Sequence, residues 1–258
     1  MNVPCTTIQR VLRSEGMRPY HFSKVQHLRE DDAERRLEFC RWLVRENNMD
    51  NTFCGRILFS DESLFTREGL FNAHNTHYWA TENPFLIRER SFQVRWKLNI
   101  WAGIIGNEII GPCILPNRMG GDNYADFLRE NLPDLLEDLP LNIRQNIWFQ
   151  HDGAPPHNSK RVRLYLNEHF QNSWIGRGGP VAWPARSPDL NPLDYFLWSY
   201  LKSYIYQDPV ETLEELEERL HCAVGNVPPA MLQFTIQSLI HRANACIQMG
   251  GLHFEHLL

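Results

Sequence analysis

The chain has 258 residues, 43% hydrophobic and 12% aromatic, enough to bury a core as one large domain or as one domain with small appendages. No apolar run reaches the length of a membrane span and the N-terminus has no signal-peptide core, so a soluble intracellular protein without a membrane partner is expected. The net charge of −5 is unevenly spread, with −5 in residues 207–258 and +4 in residues 1–29, and a phosphate-binding surface needs only such a local basic patch. The six cysteines (Cys5, Cys40, Cys54, Cys113, Cys222, Cys246) form no C-x-x-C pair, which favours buried free thiols over a zinc site or a disulfide framework.

In chain order, Thr6-Thr7 are expected to cap a helix with Ile8, Val11 and Leu12 on its apolar side and Gln9, Arg10 and Arg13 on its polar side, ended by Gly16 and Pro19. Thr6, Gln9, Arg10 and Arg13 suit a recognition helix facing a major groove, and equally a plain solvated face. A second helix is expected over residues 28–47, with Leu37, Phe39, Cys40, Leu43 and Val44 apolar.

From Arg56 the pattern alternates. Residues 56–60 predict a strand bearing Asp61, and residues 64–95 a loop-rich excursion with Arg67, Arg88, Arg90 and Arg95 and a short strand at 76–80. Lys97–Ile105 and Glu108–Leu115 predict two strands joined by a Gly106-Asn107 turn. A helix follows over 122–138, then a strand over 146–150 delivering Asp152, a helix over 159–170 and a last short strand at Trp174-Ile175. A glycine- and proline-rich stretch to Pro192 precedes a helix from Asp194 to about Tyr206, and Leu213, Leu216 and Leu220 mark an amphipathic helix beyond it. Three strands, helix, strand, helix, short strand, helix is the order of an α/β, ribonuclease-H-like mixed sheet flanked by helices. In that plan the first and fourth strands are neighbours, which brings Asp61 and Asp152 together.

Three aspartates carry the chemistry. Asp61 follows Phe59-Ser60, Asp152 follows Gln150-His151, and Asp194 follows Asn191-Pro192-Leu193. Three converging carboxylates repel one another and are normally held by hard divalent cations, here Mg2+ or Mn2+, two per site. Taken singly, two of them have plainer readings, Asp61 as a turn cap and Asp194 as a helix N-cap; the neighbouring Asp189 is expected to be structural, for instance as an Asx turn before Asn191. Glu62 falls on the opposite strand face from Asp61 and is the poorer ligand. His151 and His157 flank Asp152, but imidazole suits zinc better than magnesium, so support of a ligand or of substrate is expected of them.

Phe59-Ser60-Asp61-Glu62, His151-Asp152-Gly153-Ala154-Pro155-Pro156-His157, Ser187-Pro188-Asp189-Leu190-Asn191-Pro192 followed by Asp194, and Asn99-Ile100-Trp101-Ala102-Gly103-Ile104 occur in that order. Together they resemble the mariner-type DNA transposases from the front helix to at least Trp198. Asn is common in that family where this chain has Gly153. Two departures stand out: the 41 residues between Asp152 and Asp194 exceed the commonest mariner gap, and the front carries less than the family's two helix-turn-helix units.

The resemblance implies a domain plan: a partial helix-turn-helix in residues 1–29, a linker helix over 30–55, a catalytic domain over 56–206 and a helical extension over 207–258. The front segment matches only the end of the family's paired reading heads, a remnant that suggests N-terminal truncation. The implied activity is metal-dependent cleavage of phosphodiester bonds at transposon ends and strand transfer, with Asp61, Asp152 and Asp194 both catalytic and metal-binding. Double-stranded DNA is the implied partner, held by Thr6, Gln9, Arg10, Arg13, Lys24, Lys160, Arg161 and Arg163, with a homodimer on DNA and a nuclear location. The alternative is a catalytically silent, transposon-derived protein that only binds nucleic acid.

Overall fold

The computed structural model describes residues 5–17, 25–67 and 96–258. Lys24, most of the arginine-bearing excursion and the short strand expected at 76–80 lie outside them. Among the described residues, no helix is long and apolar enough to cross a membrane.

Helix α1 (Cys5–Ser14) begins ahead of Thr6-Thr7, so both threonines lie inside its first turn and neither caps it. It ends as expected at Gly16, whose φ of +74° lets Met17 N–H reach back to the Leu12 carbonyl. Val11 and Leu12 of α1 are exposed. Helix α2 (Asp32–Met49) buries Phe39, Cys40 and Leu43.

Among the described residues the sheet has five strands: β1 (Ile57–Thr66), β2 (Lys97–Ile105), β3 (Glu108–Leu115), β4 (Trp148–Gln150) and β5 (Trp174–Ile175). Their order is β3-β2-β1-β4-β5, with β1–β2 and β2–β3 antiparallel and β1–β4 and β4–β5 parallel. This is the ribonuclease-H-like mixed sheet expected. Gly106 takes φ +57° at the first position of the β2–β3 turn, which suits a Gly-first hairpin. Strand β1 is longer than the 56–60 expected: β2 pairs with it out to Thr66, so Asp61 lies in mid-strand and not at a strand end.

Alternation divides the sheet into two faces. Phe59, Phe65, Ile100, Ala102 and Ile104 face a core shared with α2, α7 (Trp198–Ile205), α8 (Leu213–Gly225) and α9 (Pro229–Gln248). Leu58, Trp101, Ile105, Phe149 and Trp174 face a second core with α3 (Gly121–Glu130) and α6 (Lys160–His169). The long helix expected over 122–138 is broken into α3 and α4 (Leu132–Leu135). Pro133 forces the break, because it has no N–H to continue α3 and its ring clashes with the carbonyl four residues back. A short α5 (Leu141–Arg144) that the sequence pattern does not mark precedes β4. Cys40, Cys54 and Cys246 are buried free thiols as expected, whereas Cys222 is exposed.

Candidate active site

Register alone brings the first two aspartates together. Phe59 of β1 pairs with Gln150, the last residue of β4, in parallel; Asp61 follows two residues on within β1, and Asp152 two residues past the end of β4. Adjacent strands lie about 4.8 Å apart, so the two carboxylates leave neighbouring strands at the same level.

Asp194 arrives by a different device. It sits in a π-helical turn, Leu193–Leu197, that opens α7. Asp194, Trp198, Lys202 and Tyr206 follow at intervals of four and so share one helical stripe. Trp198 Nε1 donates to Asp61 Oδ2 at 2.8 Å, Lys202 Nζ donates to Ser63 Oγ at 2.8 Å, and Tyr206 Oη donates to the Thr66 carbonyl at 2.7 Å. Four helical residues rise about 6 Å and two strand residues about 6.6 Å, so the stripe stays in step with one face of β1. Asp194, one interval before Trp198, is thereby held on the Asp61 side. Neither Trp198 nor Lys202 was marked by sequence reasoning, although the four-residue spacing was there to be read.

The motif before Asp194 is anchored from outside the sheet. Arg36 of α2 donates to both Asp189 oxygens at 2.8 and 2.5 Å, to Ser187 Oγ at 2.8 Å and to the Gly251 carbonyl at 2.8 Å. Asp189 is therefore a buried ion-pair partner and not the Asx turn expected of it; Asn191 makes that turn, its Oδ1 accepting from Leu193 N–H at 3.2 Å. Arg242 of α9 donates to the Asp189 carbonyl at 3.1 Å and lies 3.9 Å over the Tyr195 ring.

Asp152 is gripped from the other sheet face. His157 Nδ1 lies 2.7 Å from Asp152 Oδ1, which also accepts from Ala154 N–H at 2.9 Å, and His157 Nε2 lies 3.3 Å from Glu62 Oε1. Glu62 does face away from Asp61, but through His157 it is tied to Asp152, a link that strand alternation by itself does not reveal. His151 is fully buried, stacked on His157 with ring centroids 4.9 Å apart, and its Nδ1 lies 3.4 Å from the Tyr124 hydroxyl. It is packing for His157.

The charges are strained as a metal-ligand set should be. Burial, then the charges of Asp194 and Glu62, push Asp61 well above the usual carboxylate range. Asp194 stands at the solvent-exposed rim, yet protein crowding around its carboxyl and then the charge of Asp152 push it up to about 6, against the pull of Asn191 and Lys202. Burial would also raise Asp152, but the hydrogen bond and charge of His157 outweigh it and the carboxyl ends below its usual value. Burial would lower His157, but Asp152 and Glu62 outweigh that and raise it to about 10. His151, desolvated and beside that cation, is held neutral.

In kind, the donors fit a hard cation: all oxygen, crowded, with Asp61 and Asp194 in no ion pair among the described residues. No three acidic, histidine or cysteine side chains among the described residues converge to ligand distance, so holding one ion would require the carboxylates to draw together.

Of the residues expected to touch DNA, Thr6, Gln9, Arg10 and Arg13 are exposed or half-buried along α1, and Lys160 and Arg163 are exposed on α6. Arg161 is engaged by Asp122 at 2.8 Å and Asp126 at 3.0 Å on α3.

No model of a known protein family matches the chain. It is 25% identical over 225 residues to the transposable element Tc3 transposase of Caenorhabditis elegans, covering 86% of this chain and 62% of that one. The chain thus spans about three fifths of that relative's length. It superposes on the Mos1 mariner paired end complex with Mn at a TM-score of 0.81, with 22% identity, over 98% of this chain and 72% of that one. On the Mos1 transposase catalytic domain with Raltegravir and Mg, the TM-score is 0.68 at 22% identity, over 89% of this chain and all of that one. In sequence and in fold, the chain is similar to the mariner/Tc1-type transposases.

Proposed function

We propose that this chain carries the catalytic part of a mariner/Tc1-type DNA transposase and transfers phosphoryl groups at the ends of a DNA element with Mg2+ or Mn2+. The observation that supports the reading is the parallel pairing of β1, which bears Asp61, with β4, two residues past whose end comes Asp152, together with the hydrogen bond to Asp61 from Trp198, four residues after Asp194. Asp61, Asp152 and Asp194 would hold the cations. When bound, divalent cations supply the Lewis acidity that phosphodiester cleavage needs.

The chain's own residues prepare that site. Trp198 fixes one oxygen of Asp61 and leaves the other for a ligand, while His157 and Ala154 do the same for Asp152. His157 keeps Asp152 ionised before any cation arrives, and Asp194 becomes an anion above about pH 6. Relatives solved as paired-end complexes with transposon ends support duplex DNA as substrate and a homodimer as the working form, and the reading carries a nuclear location with it.

A supercoiled plasmid or a pre-cut duplex with a free 3′-hydroxyl, incubated with the chain and Mn2+, tests the reading. Nicking or strand joining is expected at low rate, lost in Asp61→Asn, Asp152→Asn and Asp194→Asn. A folded chain that binds Mn2+ yet neither nicks nor joins would favour a nucleic-acid-binding relic.

A further inference from the structure

The register that joins Asp61 to Asp152 continues across one more strand. Gln150 of β4 pairs in parallel with Ile175 of β5, and two residues beyond Ile175 comes Arg177. Asp61, Asp152 and Arg177 thus leave three adjacent parallel strands at one level, two acids and then a base. Arg177 is exposed, on a loop closed by Gly176 N–H to the Val181 carbonyl at 2.9 Å and Gly179 N–H to the Gly176 carbonyl at 3.2 Å.

Its stem lies alongside Gly153. A Cβ added to Gly153, the residue after Asp152, would lie 3.8 Å from Arg177 Cβ and 3.9 Å from its Cδ. Glycine at 153 therefore leaves the stem of Arg177 directly beside the Asp152 backbone. A second arginine meets it from α6: a Cβ added to Gly178 would lie 3.4 Å from Arg163 Cδ and 3.6 Å from its Nη1. Gly178, at φ +82°, turns the chain so that Arg163 lies against it. No acid among the described residues pairs with Arg163 or Arg177, whereas Arg161 is engaged twice.

We propose that Arg177 and Arg163 form a phosphate grip beside Asp152, their guanidinium groups donating to the non-bridging oxygens of a DNA backbone phosphate that flanks the scissile one. A carboxylate cluster repels a polyanion, and guanidinium is the group whose planar fork matches phosphate oxygens. The grip would hold the strand across the middle of β1, at Asp61, and the carboxyl ends of β4 and β5. It rests on the reading of the chain as a DNA-processing enzyme and adds two positioning contacts to it.

Binding of a short fluorescent duplex, followed by anisotropy from about 50 to 200 mM salt with EDTA present, tests the pair, since each phosphate contact adds about 0.9 to the slope of log K against log salt. Arg177→Ala and Arg163→Ala should each lower the slope, by about 0.9 in the double variant, and weaken binding several-fold at low salt. Arg177→Lys should keep the slope, Arg144→Ala, on α5 ahead of β4, should match the parent, and the thermal shift given by Mn2+ should survive in all of them. A parent that binds while Arg177→Ala and Arg163→Ala bind like it overturns the grip and leaves the DNA reading standing. Equal loss in Arg144→Ala, or loss of the Mn2+ shift in Arg177→Ala, also overturns it. A parent that binds no duplex at all removes the DNA reading, and the grip with it.

Discussion

Arg36 reaches from α2 to close a two-pronged, fully buried ion pair with Asp189, five residues before Asp194. The third candidate ligand is therefore positioned by a helix that contributes nothing to the sheet. Removing one member of such a pair strands the other charge in the core. Asp189→Ala should cost about 3–5 kcal/mol in denaturant unfolding, while Arg36→Met with Asp189→Leu should recover most of that loss. Equal losses in the single and double variants would show that the pair is not the anchor.

Trp198 is the link between Asp194 and Asp61. A hydrogen bond to a charged group contributes about 1.5–3 kcal/mol, so Trp198→Phe should weaken Mn2+ binding by roughly tenfold or more while the chain stays folded. Titration calorimetry reads this directly, and parent-like affinity would place the indole outside the site.

Without metal, Asp194 and His157 should each contribute a step in which stability falls as pH rises. Asp194 has a pKa of about 6 in the fold against the usual 3.8, so its ionised form opposes folding, and stability drops as pH rises from about 4 through about 6. Because that side chain stands in solvent, the step is on the order of 1 kcal/mol or less. His157 is raised to about 10, so the stability it lends is complete below about 6.5 and lost as pH rises through about 10. Urea unfolding across pH 4–10.5 should show both steps, with Asp194→Asn flattening the first and His157→Gln the second. A parent-like profile in either variant contradicts the corresponding assignment.

Much of this was legible beforehand because the cues are local. The apolar runs around Leu58 and Phe149, the Gly106-Asn107 turn and the Trp174-Ile175 strand each state their own structure, and strand order then follows from the chain's plan. The spans that failed are those set by distant partners. Strand β1 runs on to Thr66 only because Lys97 pairs there, and Asp189 looks like a turn residue until Arg36, about 150 positions away, is brought against it. The tie from Glu62 through His157 to Asp152 was hidden in the same way: alternation assigned Glu62 to the far face, and only the chain's return at residue 157 connects that face to the site.

Gly176 allows the close approach that seats His151 under His157. A Cβ there would come within 2.4 Å of the His151 ring and 3.0 Å of Trp174. Gly176→Ala should therefore cost about 1–3 kcal/mol. Loss of the His157-dependent step in the pH profile should accompany it. A neutral effect in thermal melts would mean that the ring stack yields freely.

Asp61, Asp152 and Asp194 act as one divalent-cation site only if a cation binds the folded chain through all three. Calorimetric titration of the metal-free chain with Mn2+ at pH 7.5, repeated at pH 5, measures that most directly. Saturable binding at pH 7.5 is expected, with weaker binding at pH 5, where Asp194 is protonated, and a melting temperature that rises with Mn2+. Asp61→Asn, Asp152→Asn and Asp194→Asn should each remove most of the heat and of the shift. No binding at millimolar Mn2+, or binding that survives all three substitutions, would contradict the site.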